Sequence, residues 1–304
     1  MPNEKQINFS GFQHLYPFKS NYLNINGFRY HYLDEGKGNP IVMLHGNPTW
    51  SFYYRQMVKV LSLKYRTIVP DHIGCGLSDK PGPKHYNYRL QNRVKDLEAL
   101  LAYLEVKKKI TLVLHDWGGI IGVAYGLKYP ERLHRLIIMN TTAFFPPGGK
   151  GLPIRLRIFR NIKLLAIPAV LIFNLFVYGA LFTASYRGLK KEVKRGLLAP
   201  YNSWRNRIAI LKFIQDIPTN ENDPSYQLVK WIDENLHRLK EIPMFICWGK
   251  HDFVFTVDYL AEWRRRFPHA ESHIFSDAGH YVLEDVPEKV ISMIKEVLER
   301  DFSR

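Results

Sequence analysis

Three polar side chains follow buried-strand patterns, in the chain order carboxylate, carboxylate, imidazole: Asp116, Asp252 and His280. The first lies in Val113-Leu114-His115-Asp116-Trp117-Gly118-Gly119. Thr111 to Leu114 is apolar or β-branched, two glycines follow the aspartate, and Ile120 to Lys128 is compatible with a helix. Strand, sharp turn and helix in that order make a nucleophile elbow, which lifts one side chain off the end of a buried strand. A carboxylate held there attacks carbon and leaves an ester to the enzyme, without needing a base to deprotonate it. His280, in Asp277-Ala278-Gly279-His280-Tyr281, is then free to activate water or stabilise charge. Asp252, in Trp248-Gly249-Lys250-His251-Asp252, is placed to orient the imidazole and stabilise its protonated form. Unrelated loop residues would not each follow a buried strand.

Anion stabilisation has its own candidates. In Leu44-His45-Gly46-Asn47-Pro48 the glycine permits a tight backbone and Asn47 offers a side-chain amide. Trp117, next to the elbow aspartate, adds a backbone N–H and an indole N–H. Together they can cradle a departing anion or an oxyanion. Plain packing for Trp117 and a pre-proline turn for Asn47 are the competing readings. His45 and His115 read as structural, since His280 already fills the base position.

The elements that must position these groups are short apolar runs: Ile41–Leu44, Arg66–Val69, Thr111–Leu114, Leu136–Met139, Met244–Trp248 and Ser272–Phe275. Tyr22 to Asp34 reads as a hairpin turning at Asn26-Gly27. Helical patterns intervene, the clearest placing Leu90, Val94, Leu97, Leu101 and Leu104 on one stripe and another running from Val286 to Leu298. Alternating strands and helices predict a mostly parallel sheet covered on both faces, with active groups at the carboxyl ends of its strands.

That rhythm breaks between Pro146 and Pro218. Leu164 to Tyr186 carries no charge, a length that could span a bilayer. Pro168, Asn174 and Gly179, together with a place between two pieces of one sheet, favour an apolar helical cap instead. Of the net charge of +15, the segment from Lys150 to Lys212 holds thirteen Lys or Arg against Glu192 alone, or +12. Basic residues flank the uncharged run on both sides, which predicts contact with an anionic membrane surface; a solvated face is the plainer alternative. Nucleic acid fits poorly, because exposed aromatics do not interleave with the basic residues. Cys75 and Cys247 read as ordinary residues of a cytosolic protein, and Met1 to Lys5 lacks the start of a secretory signal. The expected location is cytoplasmic, peripheral on the inner face of the membrane where the cap docks.

Three motifs carry a family resemblance. His-Gly-Asn-Pro-Thr-Trp-Ser (45–51), Asp-His-Ile-Gly-Cys-Gly-Leu-Ser-Asp-Lys-Pro (71–81) and His-Asp-Trp-Gly-Gly (115–119) resemble the haloalkane dehalogenase branch of the α/β-hydrolase superfamily. In that branch Asp116 would displace halide, Asn47 and Trp117 would bind it, and His280 would activate water. Epoxide hydrolases share the elbow, but usually lack the asparagine and supply two cap tyrosines. More specific pieces are Ile68 to Pro81, Pro-Tyr-Asn-Ser-Trp-Arg-Asn-Arg-Ile (200–208), Phe-Ile-Gln-Asp-Ile-Pro (213–218) and His-Tyr-Val-Leu-Glu-Asp (280–285). These resemble the OleB-type β-lactone decarboxylases of bacterial long-chain olefin biosynthesis, over most of the chain from about Tyr30.

The resemblance implies an α/β-hydrolase fold whose core, 1–145 and 218–304, is interrupted by a helical cap at 146–217 inserted after strand 6. It implies conversion of a cis-β-lactone, a 3,4-dialkyl oxetan-2-one, into a long-chain cis-alkene and carbon dioxide, with no cofactor and no metal. Asp116 could attack the carbonyl or the ring carbon. Phe173, Phe176 and Tyr201 are the candidate cap contacts for the alkyl arms, whose burial contributes about 0.8 kcal/mol per CH₂. A β-lactone synthetase and a 2-alkyl-3-ketoacid reductase are the implied partners. Haloalkane dehalogenase and then epoxide hydrolase remain the alternative activities, and a non-catalytic lipid binder the alternative from another class. Two positions depart from the pattern: Leu114, where small residues are usual, and Asn140, where some dehalogenases carry the catalytic acid.

Overall fold

Strand β1 (Asn21–Ile25) turns into β2 (Phe28–Glu35) through Asn26 and Gly27, both at positive φ (51° and 88°). That two-residue turn matches the right-handed twist of a hairpin. The later runs become β3 (Pro40–Leu44), β4 (Arg66–Pro70), β5 (Ile110–Asp116), β6 (Leu133–Thr141), β7 (Met244–Gly249) and β8 (Glu271–Phe275). In the computed structural model, which describes residues 7–149 and 151–300, they form one sheet ordered β1-β2-β4-β3-β5-β6-β7-β8. β2 pairs antiparallel with both its neighbours, and every pair from β4 onward is parallel. Met1 to Lys5 and Lys150 lie outside the described residues.

Side-chain alternation explains why the central strands are apolar without interruption. Val42, Leu44, Leu112, Leu114, Leu136, Ile138 and Ile246 point into one core layer, and Ile41, Met43, Val113, Ile137, Met139 and Phe245 into the other. Both faces are buried, so both alternating sets must be hydrophobic, and each large aliphatic side chain contributes about 1.5–3 kcal/mol. Helices α1 (Arg55–Leu61), α2 (Leu90–Tyr103) and α3 (Trp117–Lys128) cover the first half of the sheet. Of the predicted α2 stripe, Leu90, Val94, Leu97 and Leu101 are buried, whereas Leu104 caps the end of the helix and is half-buried.

Between β6 and β7 come α4 (Ile154–Asn161), α5 (Lys163–Ile167), a π turn at Pro168–Ile172, α6 (Leu175–Thr183), α7 (Lys191–Leu198) and α8 (Ile208–Gln215). They are followed by α9 (Tyr226–Asn235), whose Val229 and Ile232 already belong to the sheet's core. Helices α10 (Val257–Arg266), α11 (Val282–Asp285) and α12 (Pro287–Glu299) complete the second half. No single helix among the described residues is long and apolar enough to cross a membrane. The uncharged run instead bends by 75° between Ile172 and Leu175, where Asn174 takes a left-handed conformation and buries its amide.

The 71–81 motif acts as a brace. Buried Asp71 accepts the N–H groups of Ser51 (2.6 Å) and Leu77 (2.8 Å) and pairs with His31 at 2.8 Å. Burial alone would raise its pKa; the His31 charge and hydrogen bond outweigh that and hold it at about 2. Because the folded pKa is depressed, this stabilisation is complete above the unfolded value of about 4 and disappears as pH falls towards 2. Asp71→Ala strands His31 and two N–H donors, and lowers unfolding stability at pH 7 by about 3 kcal/mol. An unchanged urea midpoint would show that the motif braces nothing.

Candidate active site

Asp116 ends β5 with φ 50° and ψ −126°, a strained backbone that turns its side chain out of the sheet. The residue is 7% exposed. Oδ1 accepts the Asn47 backbone N–H at 2.7 Å, and the Trp117 N–H also supports the carboxylate. Oδ2 faces His280 Nε2 at 3.7 Å. The carboxylate passes so close to Gly46 that a Cβ there would lie 1.9 Å from Oδ1. Beneath the elbow, the Thr141 hydroxyl donates to the Asp116 carbonyl. Gly122 accounts for the unusual Leu114: a Cβ at 122 would meet the Leu114 side chain at 2.3 Å, so the glycine on α3 makes room for the larger residue.

His280 and Asp252 arrive from loops after β8 and β7. His280 Nδ1 sits 2.8 Å from Asp252 Oδ2, and the other Asp252 oxygen accepts the N–H groups of Val254 (2.7 Å) and Phe255 (3.0 Å). Asn140, at the end of β6, donates from Nδ2 to Asp252 Oδ2 at 2.9 Å and accepts the Gly249 N–H at 2.8 Å. Asn140 thus fixes the Asp252 carboxylate in place. Burial disfavours a charged His280, but the Asp252 charge and hydrogen bond, with Asp116 behind them, raise its pKa above the ordinary histidine value. Burial also raises the pKa of Asp116, opposed by His280 and the Asn47 and Trp117 N–H groups. A carboxylate that attacks carbon must be ionised, so a reaction carried by Asp116 would fall off as pH drops through this raised pKa. The acid limb of kcat/KM is therefore expected above the free-aspartate value of about 3.9. An acid limb at or below that value would contradict the buried geometry.

The anion candidates divide in their surroundings. Trp117 lines the elbow, its ring tilted against Phe213 of α8 at 5.1 Å. The Asn47 amide turns to the cap instead, donating from Nδ2 to the Ile210 carbonyl at 3.2 Å. Its neighbours do likewise: Thr49 O accepts the Tyr201 hydroxyl at 3.1 Å, and Trp50 Nε1 donates to Gly196 O at 3.0 Å. The 45–51 motif is therefore also the fastening between core and cap. Tyr201 is fully buried in that fastening, Phe176 packs edge-on to Phe159, and Phe173 stands 63% exposed. The cap residues that meet Asn47 and Trp117 are instead Ile210 and Phe213.

His45 and His115 are buried struts. Burial lowers the pKa of each; His45 Nε2 accepts the His72 N–H at 3.1 Å, and His115 Nε2 bonds the His280 carbonyl at 2.9 Å. Both cysteines are free and buried, and burial pushes the Cys75 thiol up to about 12. Among the described residues no cluster of His, Cys, Asp or Glu could hold a metal ion. Sequence reasoning overlooked Arg93, a fully buried guanidinium 3.6 Å from the Phe213 ring and 6.0 Å from Trp117. It donates to the Tyr88 carbonyl, while Nε and Nη2 have no hydrogen-bond partner. Its spacing from Leu90 and Leu97 was the available signal, a charge on the buried stripe of α2.

A family model described as alpha/beta hydrolase fold matches residues 39–287. The chain belongs to the α/β-hydrolase fold family. Within it, the chain is 51% identical to a cis-3-alkyl-4-alkyloxetan-2-one decarboxylase of Shewanella oneidensis, covering 92% of this chain and 88% of the relative. A protein of the same name from Xanthomonas campestris pv. campestris is 42% identical, covering 94% and 98%. Dehalogenases are more distant. A mutant haloalkane dehalogenase DatA of Agrobacterium tumefaciens superposes with a TM-score of 0.80 at 25% identity, covering 93% of this chain and 97% of that one.

Proposed function

We propose that this α/β-hydrolase decarboxylates cis-3,4-dialkyl oxetan-2-ones to cis-alkenes in olefin biosynthesis, with Asp116 as nucleophile. The observation that carries the reading is the 51% identity, over nearly the whole chain, to a protein named for that reaction. The site's geometry supports a specific course. Asn47 holds Asp116 Oδ1, which leaves Oδ2 to attack. Attack on ring carbon 4 breaks its bond to the lactone oxygen, whose electron pair remains on a newly released carboxylate. That carboxylate then leaves as carbon dioxide. The pair from its bond to carbon 3 forms the alkene, and Asp116 departs with the ester's electron pair. Inversion followed by anti elimination keeps the alkyl arms cis, and no water is consumed. Attack on the carbonyl would require hydroxide to leave later, a far poorer leaving group than the Asp116 carboxylate.

Trp117, the second N–H of the Asn47 amide and protonated His280 stabilise the released carboxylate, and Asp252 keeps His280 charged. A β-lactone synthetase and a 2-alkyl-3-ketoacid reductase are the proposed companions, since together they would supply the lactone. Turnover of a cis-β-lactone in water enriched in oxygen-18 tests the course, with a terminal haloalkane run in parallel. Alkene formation with no heavy oxygen in the Asp116 peptide is expected. Halide release without alkene would overturn the assignment, and label in Asp116 during lactone turnover would show that its ester is hydrolysed.

A further inference from the structure

The cap has two apolar sides. Ala166, Val170, Val177 and Leu181 face inward, the first three packing with Tyr201, Ile210 and Ile214. The outward side is equally apolar: Leu164 is 85% exposed, Phe182 70%, with Leu165, Ile172 and Leu175 also bare. Helix α6 is uncharged around its whole circumference. A helix apolar all round is ordinarily buried in protein or in lipid, and here no other described residue covers one side.

Charge surrounds this face. Lys163, Lys190, Lys191 and Arg195 are exposed; Lys194 Nζ lies 4.4 Å from the Phe182 ring, and Arg205 stacks on exposed Trp204 at 5.3 Å. At the foot of α5, a cavity of about 510 Å³ is lined by Arg89, Arg160, Lys163 and Lys212. Asp216 neutralises Arg89 and Asp223 neutralises Arg160, but neither lysine has an acid partner in the cavity. Burial, then the charges of Arg89 and Lys163, push the Lys212 pKa down, and the charge of Asp216 offsets them only in part.

We infer that the outer face of the cap docks on an anionic phospholipid surface. Leu164, Leu165, Ile172, Leu175 and Phe182 enter the acyl boundary, while the surrounding lysines and arginines and the Lys163–Lys212 cavity take lipid phosphates. Such a mode needs both signals, buried apolar area and electrostatic attraction, and this face supplies both. In this mode the helix pair Lys163–Ile172 and Leu175–Thr183, broken by a 75° bend, lies along the interface. The same cap fastens to Asn47 and Thr49, so docking sets the roof of the Asp116 site against the phase in which a dialkyl substrate dissolves.

Flotation of the full chain with vesicles of phosphatidylcholine, with and without phosphatidylglycerol, tests the inference without any measurement of turnover. It therefore stands or falls apart from the substrate assignment. The wild type is expected to float with the anionic vesicles and to be released by salt. A Lys163→Glu, Lys190→Glu, Lys191→Glu variant should lose about 10²-fold in partition coefficient. A Leu164→Ser, Leu165→Ser, Phe182→Ser variant should lose flotation with the anionic vesicles although its charge is unchanged. All substituted positions are exposed, so an unchanged melting temperature confirms folding. Wild-type protein that stays in the aqueous phase, or variants that bind as well as wild type, would overturn the inference. Sedimentation showing self-association that the serine variant abolishes, with no vesicle binding, would reassign the face to contact between copies.

Discussion

Asp116→Asn lowers kcat on a cis-β-lactone by about 10⁴-fold or more, while the melting temperature stays the same or rises slightly. The amide keeps the carboxylate's shape, so its oxygen still accepts the Asn47 N–H that now lies 2.7 Å from Oδ1. What it loses is chemistry. A neutral amide is a poor nucleophile toward ring carbon, and no carboxylate is regenerated to leave in the second step. Stability does not suffer, because burial already works against the charged form of Asp116. Alkene quantified by gas chromatography, with thermal melting alongside, separates the two effects. Loss of less than tenfold would place the reacting group elsewhere.

The second large effect belongs to Asp252→Asn, expected to reduce kcat by about 10²-fold or more with little change in KM. Asp252 accepts four hydrogen bonds: from Val254 and Phe255 on one oxygen, and from Asn140 and His280 on the other. An asparagine that keeps its oxygen on the two backbone N–H groups turns its NH₂ towards Asn140 Nδ2 and His280 Nδ1. Donor then faces donor, the imidazole takes the opposite tautomer, and the charge that raises the His280 pKa is gone. The variant should therefore lose the protonated His280 at a lower pH than wild type, visible as a displaced alkaline limb. An unchanged profile and rate would remove Asp252 from the catalytic set.

The cap is the part of the chain whose side-chain directions are least legible in its sequence. Strand ends are legible because a run such as Ile41–Leu44 or Met244–Trp248 must be apolar on both faces, and a parallel sheet gathers its carboxyl ends at one edge. That is why Asp116, Asp252 and His280 could be paired across more than a hundred residues before any geometry was known. The cap has no such rule. Its short helices meet at a π turn and a left-handed Asn174, so neither period 2 nor period 3.6 indicates which side chains point inward. Phe173 and Tyr201 are both cap aromatics, yet one stands in the open and the other is sealed against Thr49.

The amino-acid sequence by itself determined the sheet, the elbow and the order of the reacting groups, since each follows from local hydrophobic pattern and turn chemistry. Tertiary structure alone decided the rest. It turned the Asn47 amide to Ile210, made Asp71 a brace, set Asn140 behind Asp252, and buried Arg93 beneath Phe213. It also left the outer face of the cap bare beside its lysines. These outcomes depend on which distant surfaces meet, and spacing along a chain does not encode the direction of a side chain in irregular structure.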